Sequence, residues 1–336
     1  MEVHTMPTRE LDVRPIPSPP SVIGPINEVL HDDARSLIRG SLSEATWRAY
    51  QSDRELLLQW GRDNRVEVLP ATPELVANYI GSMMEALAPS TILRRVAFWS
   101  WWHDAQGIDP NPCRSTMVRN TLKGLRRRPS TPIKARPLTS VDLVEILTTT
   151  PGGSLKAIRD RALLVVGLAL GRRRSELVAL DVEDLQWLDQ GHPGYSVTIR
   201  RSKTDQEGEG QTVFLPRTGS VSCPVRHLEE WLKAGGITTG AIFRSVNQHA
   251  QIGERLSDRS VSTILKEATE RAGLPVGNWS GHSLRAGFVT ETARRGASTR
   301  SIARQTGHSP TSPVIHGYIR FATPDKDNAV TTEGWI

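Results

Sequence analysis

The stretch "SGHSLRAGFVTETARRG", Ser280–Gly296, sets a histidine and an arginine three residues apart at the start of a helical pattern. Residues at i and i+3 share a helical face, so His282 and Arg285 present their side chains in one direction. Phe288, Val289 and Thr292 follow at spacings that suit a packed stripe. A proton-transfer group beside a fixed cation suits an anion such as a phosphate. A surface histidine next to a solvated arginine would read the same, so the rest of the chain must decide.

The chain has 336 residues, a length that suits two domains of about 100–200 residues each. Its hydrophobic fraction of 38% supports packed cores. A net charge of +6 and the clusters Arg126–Arg128, Arg172–Arg174, Arg200–Arg201 and Arg294–Arg295 turn the expected partner towards a polyanion. The two cysteines, Cys113 and Cys223, make neither a disulfide framework nor a metal-ligand spacing, which fits a reducing cytoplasm. No apolar run approaches the roughly 20 residues of a membrane span. The proline-rich opening, residues 1–40, lacks the apolar segment of a signal peptide and is expected to be a disordered or extended arm.

Residues 41–128 carry four helical patterns and no convincing strand. Trp47, Tyr50, Leu57 and Trp60 share one broad face. Thr72 caps and Pro73 opens a second helix with the stripe Leu75, Val76, Tyr79, Ile80, Met83 and Leu87. Ile92, Val96, Trp99 and His103 mark a third. Met117, Val118, Thr121, Leu122 and Leu125 mark a fourth, which ends in three arginines. Residues 129–137, "PSTPIKARP", interrupt any helix with three prolines and read as a basic linker, a strap suited to a nucleic-acid backbone. The remainder, 138–336, reads as helices around one hairpin, "YSVTIRRSKT" and "QTVFLP", with the Gly-rich tip "DQEGEG". The expected fold class is mainly α with a small antiparallel β-sheet in the C-terminal domain.

Within that domain, "LALGRRRSELVALDVEDL" runs a buried helix into Gly171 and three arginines. Arg173, held between a buried helix and a short one, is fixed as charge stabilisation requires, with Glu176 placed to pair with it. Lys203 sits at the hairpin shoulder. "ARQTGHSPTSPVIHGYIRF" supplies His308 and Tyr318, with Ser312 and Pro313 as cap and first position of a helix. Ten residues of unbroken helix would hold His308 and Tyr318 about 15 Å apart, so the break between Ser309 and Pro313 is what can bring them together.

Taken in order, "GRRRSEL", the lysine after a strand, "HSLR", "TGH" and a following tyrosine resemble the tyrosine recombinase (phage integrase) family. "WSGHSLRAG" and "YIR" are most similar to its Cre-like branch. The resemblance implies that Tyr318 attacks the scissile phosphate and forms a 3′-phosphotyrosyl bond. Arg173 and Arg285 would clamp the non-bridging oxygens, and His308 would donate to the same oxygens. His282 would handle the tyrosine proton, Lys203 would protonate the departing 5′-oxygen, and Glu176 would orient Arg173. It further implies no ATP, metal or other cofactor, double-stranded DNA sites as partner, and a homotetramer on two sites that exchanges strands through a Holliday junction. Arg126, Arg127, Arg128, Lys134, Arg136, Arg200 and Arg201 are the expected DNA contacts outside the catalytic set. Two alternative readings are a catalytically silent DNA-binding regulator on the same scaffold and a type IB topoisomerase. The family usually sets the tyrosine nine positions after the "GH" histidine, whereas Tyr318 stands ten positions after His308. The tail after Tyr318 ends in Trp335 and Ile336, an apolar pair suited to docking on a neighbouring subunit.

Overall fold

The computed structural model of the protein describes residues 40–128, 135–150, 152–189, 191–200, 210–275, 277–309 and 311–322. The chain divides into two compact units, residues 1–132 and 133–336.

In the first unit, four α-helices are described: α1 (Glu44–Asn64), α2 (Pro73–Met83), α3 (Pro89–Ala105) and α4 (Thr116–Arg127). Ser43, Thr72 and Ser115 cap α1, α2 and α4 by accepting from the backbone N–H three residues on, which satisfies one otherwise unpaired donor each. Leu57, Val76, Tyr79, Ile80, Ile92, Val96, Trp99 and Val118 are buried in one core. Trp102 joins that core while Trp101 is only partly covered, as adjacent helical positions must diverge. Met117, expected on the buried stripe, instead lies 45% exposed, because α4 buries only the narrower line of Val118 and Leu125.

The second unit opens with α5 (Ser140–Thr149) and α6 (Leu155–Leu170), followed by the short α7 (Arg174–Ala179). Strands β1 (Leu185–Leu188), β2 (Gly194–Ile199) and β3 (Gln211–Pro216) form an antiparallel sheet in the order β1-β2-β3. Then come α8 (Pro224–Ala234), the paired strands β4 (Arg244–Val246) and β5 (Ile252–Arg255), and α9 (Asp258–Arg271). The unit closes with α10 (Gly281–Arg294), α11 (Thr299–Thr306) and α12 (Pro313–Ala322). Almost every residue of α6 from Ala162 to Gly167 is buried, so α6 is the central helix. Strands β1, β4 and β5 and helix α11 add to the elements legible in the sequence. The strands are three or four residues long, too short for a periodic signal.

Residues 136–138 are part of this unit rather than free linker. The Arg136 N–H donates to Asn278 O at 3.2 Å and the Leu138 N–H to Ser283 O at 3.0 Å, and Leu138 is fully buried. Gly287 permits the approach: a Cβ there would lie 2.0 Å from Leu138 O. Residues 136–138 thereby run beside the start of α10.

Candidate active site

Four separate segments meet at the C-terminal ends of α6 and α11. The chain leaves α6 through Gly171 in the left-handed conformation, and Arg173 follows as the N-cap residue of α7. Glu176 then closes back on Arg173 with both oxygens: the Arg173 N–H donates to Oε2 at 3.2 Å and its Nη1 to Oε1 at 2.6 Å. Glu176 is itself buried. A charge-assisted contact held from both backbone and side chain fixes the guanidinium direction.

The first turn of α10 carries His282 and Arg285, as the spacing predicts. Arg285 is buried, and its Nη1 donates to Gly171 O at 3.3 Å and to Thr306 O. These carbonyls lie at helix C-terminal ends, which lack intrahelical donors and carry partial negative charge. Arg285 thus joins α6, α10 and α11. Its Nη2 is buried without a hydrogen-bond partner. Burial, and next the Arg173 charge, draw its pKa down to about 10, so it remains a cation at neutral pH; Glu176 and Tyr318 act in the opposite direction.

The end of α11 is the "TGH" turn. Gly307 is left-handed, and a Cβ there would sit 2.6 Å from Arg172 Nη1. Arg172 runs beneath this turn with its side chain wholly buried, reaching Arg304 O at 3.5 Å and Glu176 Oε2 at 3.9 Å. Its Nε and Nη1 have no hydrogen-bond partner. Arg304 O also accepts from Gln211 Nε2 at 2.5 Å, which ties β3 to the same turn. His308 follows, its Nδ1 2.8 Å from Thr306 Oγ1. Burial, then the charges of Arg285, Arg173, His282 and Arg172, push the His308 pKa down to about 4. His282 is solvent-exposed but crowded. Partial loss of water, then Arg285, Arg174 and Arg173, lower its pKa as well.

The extra residue before Tyr318 is taken up in a turn: the Ser312 N–H donates to Ser309 O at 2.9 Å, and α12 starts at Pro313. Tyr318 packs against the small core of Val289, Ala293, Ile302, Ala303 and Ile315, close enough to Arg285 to bear on its charge. Beside His308 opens a cleft lined by Gln211, Arg300, Arg304 and Ser309. Among the described residues, no group of three or more His, Cys, Asp or Glu side chains could hold a metal ion.

The expected DNA contacts separate into classes. Arg126 and Arg127 are exposed on the last turn of α4. Arg128 pairs with Glu85 at 2.9 Å. Arg136 lies 4.8 Å over the Trp279 ring and 3.4 Å from Asp142. Arg200 is held by Asp184 at 2.6 Å and Asp181 at 2.8 Å, so its charge already has two carboxylates. Lys134, Arg201 and Lys203 lie outside the described residues, as do the hairpin tip, the arm and the tail with Trp335 and Ile336. Sequence reasoning missed Arg172, Thr306 and Gln211. The available signal for Arg172 was three arginines directly after an apolar helix, where not all can reach water.

An enzyme with this fold and this cluster is of the tyrosine recombinase class. The Phage integrase family matches residues 136–323. An integrase/recombinase xerD homolog of Selenomonas ruminantium is 34% identical over 309 residues, spanning 90% of this chain and 89% of that one. The chain therefore belongs to the phage integrase family of tyrosine recombinases. Lambda integrase (residues 75–356) bound to DNA shares the fold at 15% identity, with a TM-score of 0.58 over 88% of this chain and 97% of that one. A lambda integrase tetramer bound to a Holliday junction aligns with a TM-score of 0.57 and 14% identity, over 83% of this chain and 72% of that one. The Xer-type relative gives no support to a Cre-like branch. Among the described residues, no helix is long and apolar enough to cross a membrane.

Proposed function

We propose that the protein is a site-specific recombinase that cleaves and rejoins duplex DNA with Tyr318 as nucleophile. The observation that carries this reading is the meeting of Arg173, Arg285, His282 and His308 beside Tyr318, with one buried Arg285 nitrogen unpartnered. Two guanidinium groups and an imidazole around one point suit a phosphodiester, whose transition state needs positioning and charge neutralisation above all. The Tyr318 oxygen forms a bond to phosphorus as the bond to the 5′-oxygen breaks. His282 takes the phenolic proton, and Lys203 supplies one to the leaving oxygen. Glu176 orients Arg173 throughout. The phosphotyrosyl bond conserves the energy of the broken phosphodiester, so rejoining requires no ATP.

The unit of α1–α4 serves as a DNA-binding domain, and the residues around 129–137 join it to the catalytic unit. The working form is a homotetramer on two DNA sites, in the manner of the lambda integrase tetramer on its Holliday junction. Such an enzyme acts where its DNA lies, in the cytoplasm. The test uses a duplex site selected from a random-sequence pool and nicked near the cleavage position, so that the cut end diffuses away. Wild-type protein should accumulate a denaturation-resistant adduct, unchanged by EDTA. Tyr318→Phe should bind the site and form none; an adduct in that variant would move the nucleophile elsewhere.

A further inference from the structure

We propose that Thr306 is a positioning residue whose hydroxyl holds His308 as the Nδ1–H tautomer, so that His308 takes up a proton before its Nε2 donates to a substrate phosphate. This rests on the reading that places His308 at the phosphate. Thr306 is fully buried. Its Oγ1 lies 2.7 Å from Ile302 O, 3.4 Å from Ala303 O and 2.8 Å from His308 Nδ1. A hydroxyl has one proton, and a carbonyl oxygen only accepts. Two oxygens 2.7 Å apart need a proton between them, so the threonine proton goes to Ile302 O. What Oγ1 then offers the imidazole is a lone pair, and Nδ1 must donate. In the neutral ring, the other nitrogen is left as an acceptor.

The His308 backbone N–H donates to Ala303 O at 3.1 Å, so backbone and ring are both tied to the end of α11. The groups facing the ring are Arg285 and His282 from α10, Arg173 at the start of α7 and Arg172 beneath the turn. Arg300 and Arg304 line the adjoining cleft. This cationic surround keeps the ring neutral, its pKa near 4 without DNA. A phosphate anion among the same cations offsets them. A solvent proton then adds to the Nε2 lone pair, and the imidazolium donates through Nδ1–H to Thr306 and through Nε2–H to a non-bridging oxygen.

The test has two readouts. Long-range ¹⁵N-imidazole spectra of the DNA-free protein, assigned with His308→Gln, should show a protonated Nδ1 and an unprotonated Nε2. Single-turnover cleavage of the nicked duplex should fall about tenfold per pH unit on the alkaline side, as a required proton is lost. Thr306→Val keeps the shape and removes the hydroxyl. It should populate the Nε2–H tautomer and flatten that alkaline fall, and Thr306→Ser should restore both. A wild-type Nε2–H tautomer, or a Thr306→Val profile with the wild-type slope, would overturn the assignment. Should Thr306→Val fail to fold, the wild-type spectrum decides alone. A wild type that never forms an adduct would strike the recombinase reading and leave the tautomer result standing.

Discussion

His103 in the first unit and His308 in the second are both tied through Nδ1, yet their free nitrogens have opposite fates. His103 Nδ1 lies 2.8 Å from Trp99 O, and its Nε2 accepts the Ala71 N–H at 3.0 Å. The ring is wholly buried, and its hydrogen-bonding capacity is spent on the core. His308 keeps Nε2 towards a group of cations. The arginines repeat the contrast. Asp53 is the buried partner in the first unit, and Arg94 and Arg95 reach it from positions with access to water. At the site in the second unit, Arg172 and Arg285 are the buried members, and Glu176 is the carboxylate that balances them and Arg173. One unit uses polar groups to close a core. The other leaves an excess of positive charge at one place, which costs stability until an anion arrives.

Replacing Arg285 with alanine should break the second arrangement most severely. Cleavage of the nicked duplex should fall about 10²–10³-fold in rate, the usual cost of losing one charge-stabilising donor. Asp53→Ala should leave the chemistry of adduct formation intact but lower unfolding stability by roughly 1–3 kcal/mol, since it strands partly buried guanidinium groups. Urea unfolding of the two variants beside single-turnover rates separates these effects; equal loss of rate in both would erase the contrast.

Arg172→Met should move stability the other way. A buried cation with two nitrogens that lack a hydrogen bond and a long 3.9 Å pairing to Glu176 gives way to an apolar chain of similar reach, and such exchanges gain about 1–4 kcal/mol where pairing was poor. A lower unfolding midpoint would show that the contact with Arg304 O outweighs the burial of charge.

The pH response is a smaller effect with a definite sign. The folded pKa of His308 is about 4, against an ordinary value of 6.5. The unfolded chain therefore binds more protons between those values. Stability from this group is complete above about pH 6.5 and is lost as pH falls towards 4. His308→Gln should gain stability relative to wild type as urea midpoints are followed from pH 7 to pH 5. A constant difference would contradict the depressed pKa.

The smallest change concerns DNA affinity. Arg126→Ala and Arg127→Ala should each make the slope of log affinity against log salt shallower by about 0.9, the share of one neutralised phosphate. Arg200→Ala should leave the slope unchanged, because Asp181 and Asp184 already neutralise it. A shallower slope for Arg200→Ala would mean that DNA displaces those carboxylates.

The helical stripes of α1–α4, the buried α6, the β2–β3 hairpin and the start of α10 were legible because each repeats a local period over many residues. So was the pairing of Arg173 with Glu176, which spans a single turn. Strands β1, β4 and β5 were not, because a strand of three or four residues gains its identity from its neighbour. Arg136 and Arg200 looked like free cations for the same reason: Trp279, Asp142, Asp181 and Asp184, which occupy them, are contacts the local pattern does not contain.

From the sequence alone came the order of chemical groups, the family they resemble and the helices that carry them, since spacing along a helix dictates which side chains share a face. The tertiary structure alone decided which arginines are buried. It also decided which carbonyls Arg285 and Arg172 cap, and that Thr306 turns a lone pair, not its proton, towards His308. Those outcomes depend on contacts between residues as far apart as Gly171 and Arg285 or Arg172 and Arg304. Burial at such contacts strips away the water that would otherwise make every arginine and histidine alike.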